Sequence, residues 1–111
     1  MARINYVELP AADIGAAKAF YERAFGWSLA EFGPTYAATV SGDVDLGLQG
    51  DAAEAAAAPL PVIEVPDLEA ALAAVTEAGA RIVRPIFAFP GGRRFHFLDP
   101  NGNELAAVKA G

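Results

Sequence analysis

The feature that most constrains the fold is an internal repeat, in which an alternating strand, a proline and an aspartate precede a helical pattern in each half of the chain. "RINYVELP" precedes Asp13 in the first half, and "PVIEVP" precedes Asp67 in the second. Each aspartate stands where a helix N-cap is preferred, and apolar residues then recur at helical spacing. Short strands punctuated by turn residues follow each predicted helix. The sequence therefore predicts an α+β fold of two tandem βαβββ modules.

The chain length favours one compact domain that contains both modules. A chain of 111 residues lies within the usual size of a single domain. We predict a first module over about residues 1–50 and a second over about residues 60–111. The stretch between them, about 51–59, consists of Ala, Asp, Glu and Pro and indicates a linker with little to bury.

The first predicted helix carries an apolar stripe that we expect to face the core. This stripe comprises Ile14, Ala17, Phe20, Tyr21 and Phe25. Gly26 supplies a stop signal for this helix. Trp27 follows directly, and we expect its indole to be a packing anchor where the helix meets the next strand.

Strand alternation assigns one sheet face to the helices and leaves the other face mixed in polarity. Two tandem modules of this kind predict two four-stranded sheets, each with a helix on one face. The remaining face suits a water-accessible concave surface better than a second core. It is expected to carry Tyr6, Glu8, Asp45, Gly47, Val62, Glu64, Arg94, His96, Glu104 and Ala106.

The composition narrows the classes of molecule that the protein is expected to bind. Eight basic against fourteen acidic residues give a net charge of −6, which opposes binding to nucleic acid or to an anionic membrane. The absence of cysteine excludes disulfides and thiolate ligands. The first residues lack the basic-then-apolar pattern of a secretory leader, and we expect a cytoplasmic protein.

Several motifs together resemble one known family. "FYERAFGW" at residues 20–27 after "NYVELPAAD", the helix end "EAGA", and "FHFLDPNGNEL" at residues 95–105 are similar to the vicinal oxygen chelate superfamily. That superfamily contains glyoxalase I, extradiol dioxygenases, and fosfomycin- and bleomycin-resistance proteins. The resemblance covers nearly the whole chain and implies a glyoxalase-like half-barrel sheet with the helices on its outer face. It also implies a homodimer whose subunits complete each other's cups. Exposed sheet edges independently favour pairing with a second copy.

The resemblance also implies where metal ligands stand in the metal-dependent members. The corresponding residues here are Tyr6, Gly47, Leu60 and Ala106, and none of them is a good ligand. We therefore expect no bound metal and no cofactor. A carboxylate-only site for Mg or Mn formed by Glu8, Asp45, Glu64 and Glu104 stays open as an alternative.

The predicted mixed face supplies the candidate site residues. His96 is a candidate ligand contact or general acid/base, and the resemblance implies a ligand-contacting tyrosine at this position in fosfomycin-resistance proteins. Glu8 is a second catalytic candidate. Candidate ligand contacts are Tyr6, Tyr36, Glu64, Arg94, His96 and Glu104. Ion pairing or packing explains the same residues equally well, and "DPNGN" and "PGGRR" indicate a tight turn and a hairpin loop.

Three functions stay open at this point. The first is a binding protein that holds a small molecule in a concave cavity without a metal; its acidic rim would favour a cation. The second is a metal-independent lyase or isomerase that uses His96 and a cavity glutamate. The third is a metal-dependent glyoxalase or dioxygenase.

Overall fold

The computed structural model describes residues 2–40 and 42–111, within which two helices and eight strands follow one another in the order βαβββ twice. This confirms the predicted α+β class and the repeated element order. The first set is β1 (Arg3–Pro10), α1 (Ile14–Phe25), β2 (Ala30–Glu31), β3 (Tyr36–Ala38) and β4 (Asp45–Gln49), and the second is β5 (Leu60–Glu64), α2 (Leu68–Glu77), β6 (Arg81–Phe89), β7 (Gly92–Leu98) and β8 (Glu104–Ala110).

The chain divides into two compact units. The first unit is Tyr6–Leu60, and the second is Pro61–Gly111 with the first residues of the chain up to Asn5. The first unit has the strand order β2-β3-β4-β1 and the second has the order β5-β8-β7-β6. In each unit one strand pair is parallel, β1 with β4 and β5 with β8, and the other pairs are antiparallel. Residues 51–59 form neither helix nor strand, and the module limits given above stay a prediction.

Both helices begin at the predicted caps. Asp13 Oδ1 accepts a hydrogen bond from the amide of Ala16, and Asp67 Oδ1 accepts one from Ala70, each at 3.0 Å. Each bond satisfies an amide that the first helical turn leaves without a partner. Gly26 ends α1 with a φ of 70°, a left-handed conformation that favours glycine. Neither described helix is both long and apolar enough to cross a membrane.

Each unit packs its helix on one face of its own sheet. In the first unit Leu29, Ala37 and Leu48 are buried beneath Ile14, Ala17 and Tyr21 of α1. In the second unit the buried residues are Val65, Leu68, Phe95, Phe97 and Ala107, against which Leu72 and Val75 of α2 pack. The helix-facing parity predicted for Phe95 and Phe97 is therefore confirmed.

The aromatic part of the α1 stripe departs from the prediction. Phe20 is 59% exposed and Phe25 is 61% exposed, so neither side chain belongs to the core. Trp27 is also exposed and stacks on Tyr21 and Phe25, with ring centroids 5.6 and 5.3 Å apart. The narrow sheet of this unit is already covered by Ile14, Ala17 and Tyr21, and the larger rings therefore cluster at the flank of the helix. The expectation that Phe20 and Phe25 face inward is wrong.

Two turns around β7 match their predicted roles. Asp99 Oδ1 accepts hydrogen bonds from the amides of Asn101 and Asn103 at 2.8 and 2.9 Å, and Gly102 has a φ of 82°. The "DPNGN" segment is therefore a tight turn between β7 and β8. The "PGGRR" segment closes the antiparallel hairpin of β6 and β7, in which Phe89 pairs with Gly92.

Candidate functional site

The first unit holds a cluster of two tyrosines and a glutamate, which we call the tyrosine–glutamate cluster (Tyr6, Glu8, Tyr36 and Gly47). The Tyr36 hydroxyl donates to Glu8 Oε1 at 3.0 Å, and the Tyr6 and Tyr36 hydroxyl oxygens are 2.5 Å apart. Gly47 lies opposite Glu8 in the sheet, where an added Cβ would collide with both tyrosine hydroxyls. The glycine is therefore the residue that leaves room for this network.

Tyr36 has a fixed role as a donor in this cluster. Burial raises the pKa of Tyr36 far above its usual range, and the neighbouring Glu8 carboxylate raises it further. The phenol therefore keeps its proton and gives its hydrogen bond to Glu8. Because Tyr36 donates its proton to Glu8, Tyr6 is the donor in the bond between the two hydroxyls.

The second unit holds the other group of predicted site residues, which we call the histidine–arginine cluster (Arg84, Phe87, Arg94, His96 and Glu104). Alternation along β7 places Arg94 and His96 on the sheet face opposite Phe95 and Phe97. Glu104, at the start of β8, brings Oε2 to 2.7 Å from His96 Nδ1. Strand pairing thus produces a His–Glu pair from residues eight positions apart.

Two guanidinium groups lie near one aromatic ring beside the histidine. The Arg84 guanidinium carbon lies 3.9 Å from the centroid of the Phe87 ring, and that of Arg94 lies 5.4 Å from it. The His96 ring is 5.7 Å from the same centroid. Both distances from the arginines are within the range of cation–π attraction, which holds the charged groups near His96.

Burial favours the neutral form of the His96 imidazole, and the contact with Glu104 selects its tautomer. Burial lowers the pKa of His96; the bond to Glu104 opposes this shift, while the charges of Arg94 and Arg84 add to it. A neutral ring facing a carboxylate must carry its proton on Nδ1, because two acceptors would otherwise meet. Nε2 is then an acceptor, and it is buried with no hydrogen-bond partner among the described residues.

The lowered pKa of His96 predicts a pH-dependent stability. As the pH falls below about 6.5, the unfolded chain takes up a proton at His96 before the folded chain does. The stability that the neutral His96 contributes is fully present above about pH 6.5 and is lost as the pH falls through the lower folded-state pKa. The unfolding free energy falls by at most about 1.4 kcal/mol per pH unit in this window. We expect the unfolding free energy of the protein to fall relative to that of His96→Gln over this window. Urea unfolding of both proteins at several pH values measures the difference, and a difference that does not change with pH would contradict the assignment.

The structure groups most of the predicted site residues but buries more of them than expected. Glu8 is 3% exposed, Arg94 is 8% exposed and His96 is 1% exposed, so this part of the mixed face is not the water-accessible surface that its polarity predicted. Each of these groups has a polar or aromatic neighbour that offsets part of the cost of its burial. Glu64 is in neither cluster as defined, and its carboxylate pairs with Arg3 at 3.6 Å on an exposed surface.

Arg84 and Phe87 were not among the residues predicted for the site. The pairing of β6 with β7 shifts register on both sides of Arg84, so simple alternation along β6 does not show which side chains face His96. Arg84 lies directly opposite His96 across this pair, and Phe87 lies opposite Arg94. The only sequence signal is Pro85, a residue that favours an irregular edge strand.

The residues present do not fit a metal ion of the kind bound by metal-dependent members of the family. Gly47, Leu60 and Ala106 offer no side-chain donor, and the Tyr6 hydroxyl is engaged with Tyr36. Across residues 2–40 and 42–111 no three His, Asp or Glu side chains group in a way that could hold a metal. Of the acids considered for a carboxylate-only site, Glu8, Asp45, Glu64 and Glu104 each have a different partner: Tyr36, Thr39, Arg3 and His96.

Solved structures with the same fold come from several bacteria. A superfamily member from Vibrio splendidus has a TM-score of 0.70 and 17% identity, with 99% of each chain covered. Methylmalonyl-CoA epimerase from Mycobacterium tuberculosis has a TM-score of 0.79 and 17% identity over 97% of this chain and 87% of that one. A Mn(II)-bound glyoxalase from Novosphingobium aromaticivorans has a TM-score of 0.68 and 23% identity over 98% of this chain and 40% of that one.

The sequence itself matches one family description. Curated proteins include no match to the chain. The model of the Glyoxalase/Bleomycin resistance protein/Dioxygenase superfamily matches residues 3–107, which is nearly the whole chain. The α+β fold, the repeated βαβββ order and this match agree, and the chain belongs to the Glyoxalase/Bleomycin resistance protein/Dioxygenase superfamily.

Proposed function

We propose that this protein binds a small molecule at the histidine–arginine cluster without using a metal ion. The observation that carries the proposal is the buried Nε2 of His96, which has no hydrogen-bond partner among the described residues while Nδ1 is held by Glu104. A buried acceptor without a partner costs free energy, and a ligand that donates to it recovers that cost. Arg94 and His96 are the proposed ligand contacts, and Glu104 orients the imidazole.

The other predicted contacts stay predictions. Tyr6 and Glu8 each bond to Tyr36 in the first unit, and Glu64 pairs with Arg3. Ligand contact through Tyr6, Tyr36 or Glu64 and a catalytic role for Glu8 are therefore not part of this proposal.

A thermal-shift screen in the presence of EDTA tests the proposal. A library of small carbonyl compounds, organic acids, amines and aromatic antibiotics is the set of probes. We expect at least one compound to raise the melting temperature by mass action, with the increase lost in His96→Ala. Phe32→Ala is the matched control, because Phe32 is exposed and lies in the other unit. No stabilising compound, or stabilisation that appears only with added metal, would overturn the proposal.

The His96–Glu104 pair also favours a second candidate, a metal-independent lyase or isomerase. A neutral imidazole oriented by a carboxylate is a general base whose free nitrogen can take a proton from a bound substrate. Turnover that resists EDTA and disappears in His96→Ala would favour this activity over binding alone.

A homodimer and a cytoplasmic location are further proposals. The cluster of Phe20, Tyr21, Phe25 and Trp27 places apolar rings side by side at the surface of the first unit. Large contiguous apolar patches are uncommon on soluble monomers and support self-association. A monomeric mass in light scattering at micromolar concentration would contradict the dimer.

A further inference from the structure

The turn between β7 and β8 contains the dipeptide Asn101–Gly102, and both residues are exposed. Asparagine is a thermolabile residue type, because the backbone nitrogen of the next residue can attack its carboxamide carbon. A glycine in the next position leaves this nitrogen unhindered, since glycine has no side chain. The turn therefore brings together, at the surface, the two groups that asparagine deamidation requires.

The three asparagines of the chain differ in how the structure holds them. Asn5 lies within β1 before a bulky tyrosine, and its carboxamide oxygen is buried. Asn103 precedes Glu104, and its carboxamide nitrogen donates to Asp99 Oδ2 at 3.0 Å. The turn holds Asn101 by its backbone amide, which donates to Asp99 Oδ1 at 2.8 Å. Of the three, Asn101 therefore combines an exposed position with an unhindered attacking nitrogen.

The turn opposes this reaction through the hydrogen bonds that Asp99 accepts. The attacking nitrogen, that of Gly102, donates its hydrogen to the Asp99 carbonyl oxygen at 3.0 Å. The carboxylate of Asp99 accepts bonds from the side chain and amide of Asn103 and from the amide of Asn101, and these bonds hold the pKa of this carboxyl below its usual range. All of them lie at the surface, where local opening costs less free energy than global unfolding. Opening of the turn therefore releases the nitrogen while the sheet stays folded.

We propose that Asn101 is a site of spontaneous deamidation in the folded protein, with a rate that is set by opening of this turn. The Gly102 nitrogen forms a bond to the carboxamide carbon of Asn101, and the bond from that carbon to the side-chain nitrogen breaks. The Gly102 amide proton passes to a base in solution, and the departing nitrogen takes up a proton from water and leaves as ammonia. Water then opens the cyclic imide at one of its two carbonyl carbons, which gives aspartate or isoaspartate without oxidation or reduction.

The reaction is expected to reach the histidine–arginine cluster through Glu104. Glu104 is the first residue of β8 and pairs with Leu98, the last residue of β7, at the closing end of the turn. Isoaspartate adds a carbon atom to the backbone of the turn, so the bonds to Asp99 and the pairing at the closing end cannot both be kept. Because Glu104 Oε2 lies 2.7 Å from His96 Nδ1, a displaced Glu104 leaves the imidazole without the group that orients it.

Peptide mass spectrometry of the incubated protein tests the site. The protein is held in mildly alkaline buffer and digested, and an unincubated sample digested in parallel corrects for deamidation during the digestion. We expect Asn101 to be converted faster than Asn5 and Asn103, with both aspartate and isoaspartate among the products. Conversion of Asn5 or Asn103 as fast as that of Asn101 would overturn the proposal. So would an unchanged Asn101 in the folded protein under conditions that convert the urea-unfolded chain.

Asp99→Ala tests the role of the turn, because it removes the carboxylate that accepts three of the hydrogen bonds. We expect Asn101 to be converted about tenfold or more faster in this variant, as the loss of one or two net hydrogen bonds predicts. Asp51→Ala is the matched control, because Asp51 also accepts an amide bond at an exposed position, in the other unit. Circular dichroism accompanies each variant, and Asn103→Ala, which removes one bond of the turn, gives a smaller acceleration if Asp99→Ala unfolds. A rate equal to that of the parent in both turn variants would overturn the proposal.

Nitrogen NMR of the histidine-labelled protein tests the effect on His96. The isoaspartate form is separated from the parent by ion exchange, and Asn101→Asp provides the same charge with a normal backbone. We expect the Nδ1 resonance of His96 to shift in the isoaspartate form and to stay near its parent position in Asn101→Asp. An unchanged resonance in the isoaspartate form would contradict the connection through Glu104. Because no ligand is added, this result is independent of the proposed function.

Discussion

Replacing Phe95 with alanine is expected to lower the free energy of unfolding by about 3–5 kcal/mol. Phe95 is 0% exposed and lies in the core of the second unit with Leu68, Phe97 and Ala107. Truncation removes the transfer free energy of the ring and leaves a cavity between α2 and the sheet. Urea unfolding followed by circular dichroism measures the loss.

An exposed phenylalanine provides the matched control for this change. Phe32→Ala makes the same truncation at a residue that is 56% exposed, and we expect the unfolding free energy to change by at most about 0.5 kcal/mol. Similar losses for Phe95→Ala and Phe32→Ala would contradict the division between core and surface aromatics.

Replacing Gly92 with alanine is expected to cost about 2–5 kcal/mol, for two independent reasons. Gly92 begins β7 with a φ of 146°, a conformation that residues with a Cβ rarely adopt. An added Cβ would also collide with the backbone carbonyl oxygen of Lys109, and Gly92 pairs with Ala110 on the same neighbouring strand. Neither backbone can move without disturbing the pairing of β7 with β8.

A substitution at a second glycine is expected to have the opposite effect on stability. Gly15 lies in the first turn of α1 with a helical backbone, and an added Cβ would meet only Asp13 Oδ1, at an ordinary contact distance of 3.7 Å. Gly15→Ala should therefore leave stability unchanged or raise it by up to about 1 kcal/mol. A stabilising Gly92→Ala, or equal effects at the two positions, would show that the β7 start is not held as described.

The fold is predictable from sequence because its signals are local. Asp13 and Asp67 cap helices by bonds to amides three residues away, and Gly26 and Gly102 have the positive φ values that their turns require. Period-two alternation along β7 is sufficient to separate Phe95 from His96. The exposure of Phe20 and Phe25 is not local, because it depends on how much of the sheet α1 covers.

The site is predictable in part for the same reason. Parity places Arg94 and His96 on one face, but the His96–Glu104 bond depends on the register of β7 against β8. Arg84 reaches the same face only through the irregular pairing of β6. Burial of Glu8 and His96 arises from their partners and neighbours, which a polarity pattern along one strand does not contain.

The proposed ligand recognition depends on the state of a single imidazole, and the chain has one histidine, so nitrogen NMR of the histidine-labelled protein tests the account most directly. At neutral pH in EDTA we expect a neutral ring with its proton on Nδ1, and the Nε2 resonance should move when a stabilising compound is added. An imidazolium, a proton on Nε2, or a bound compound that leaves the Nε2 resonance in place would contradict the account.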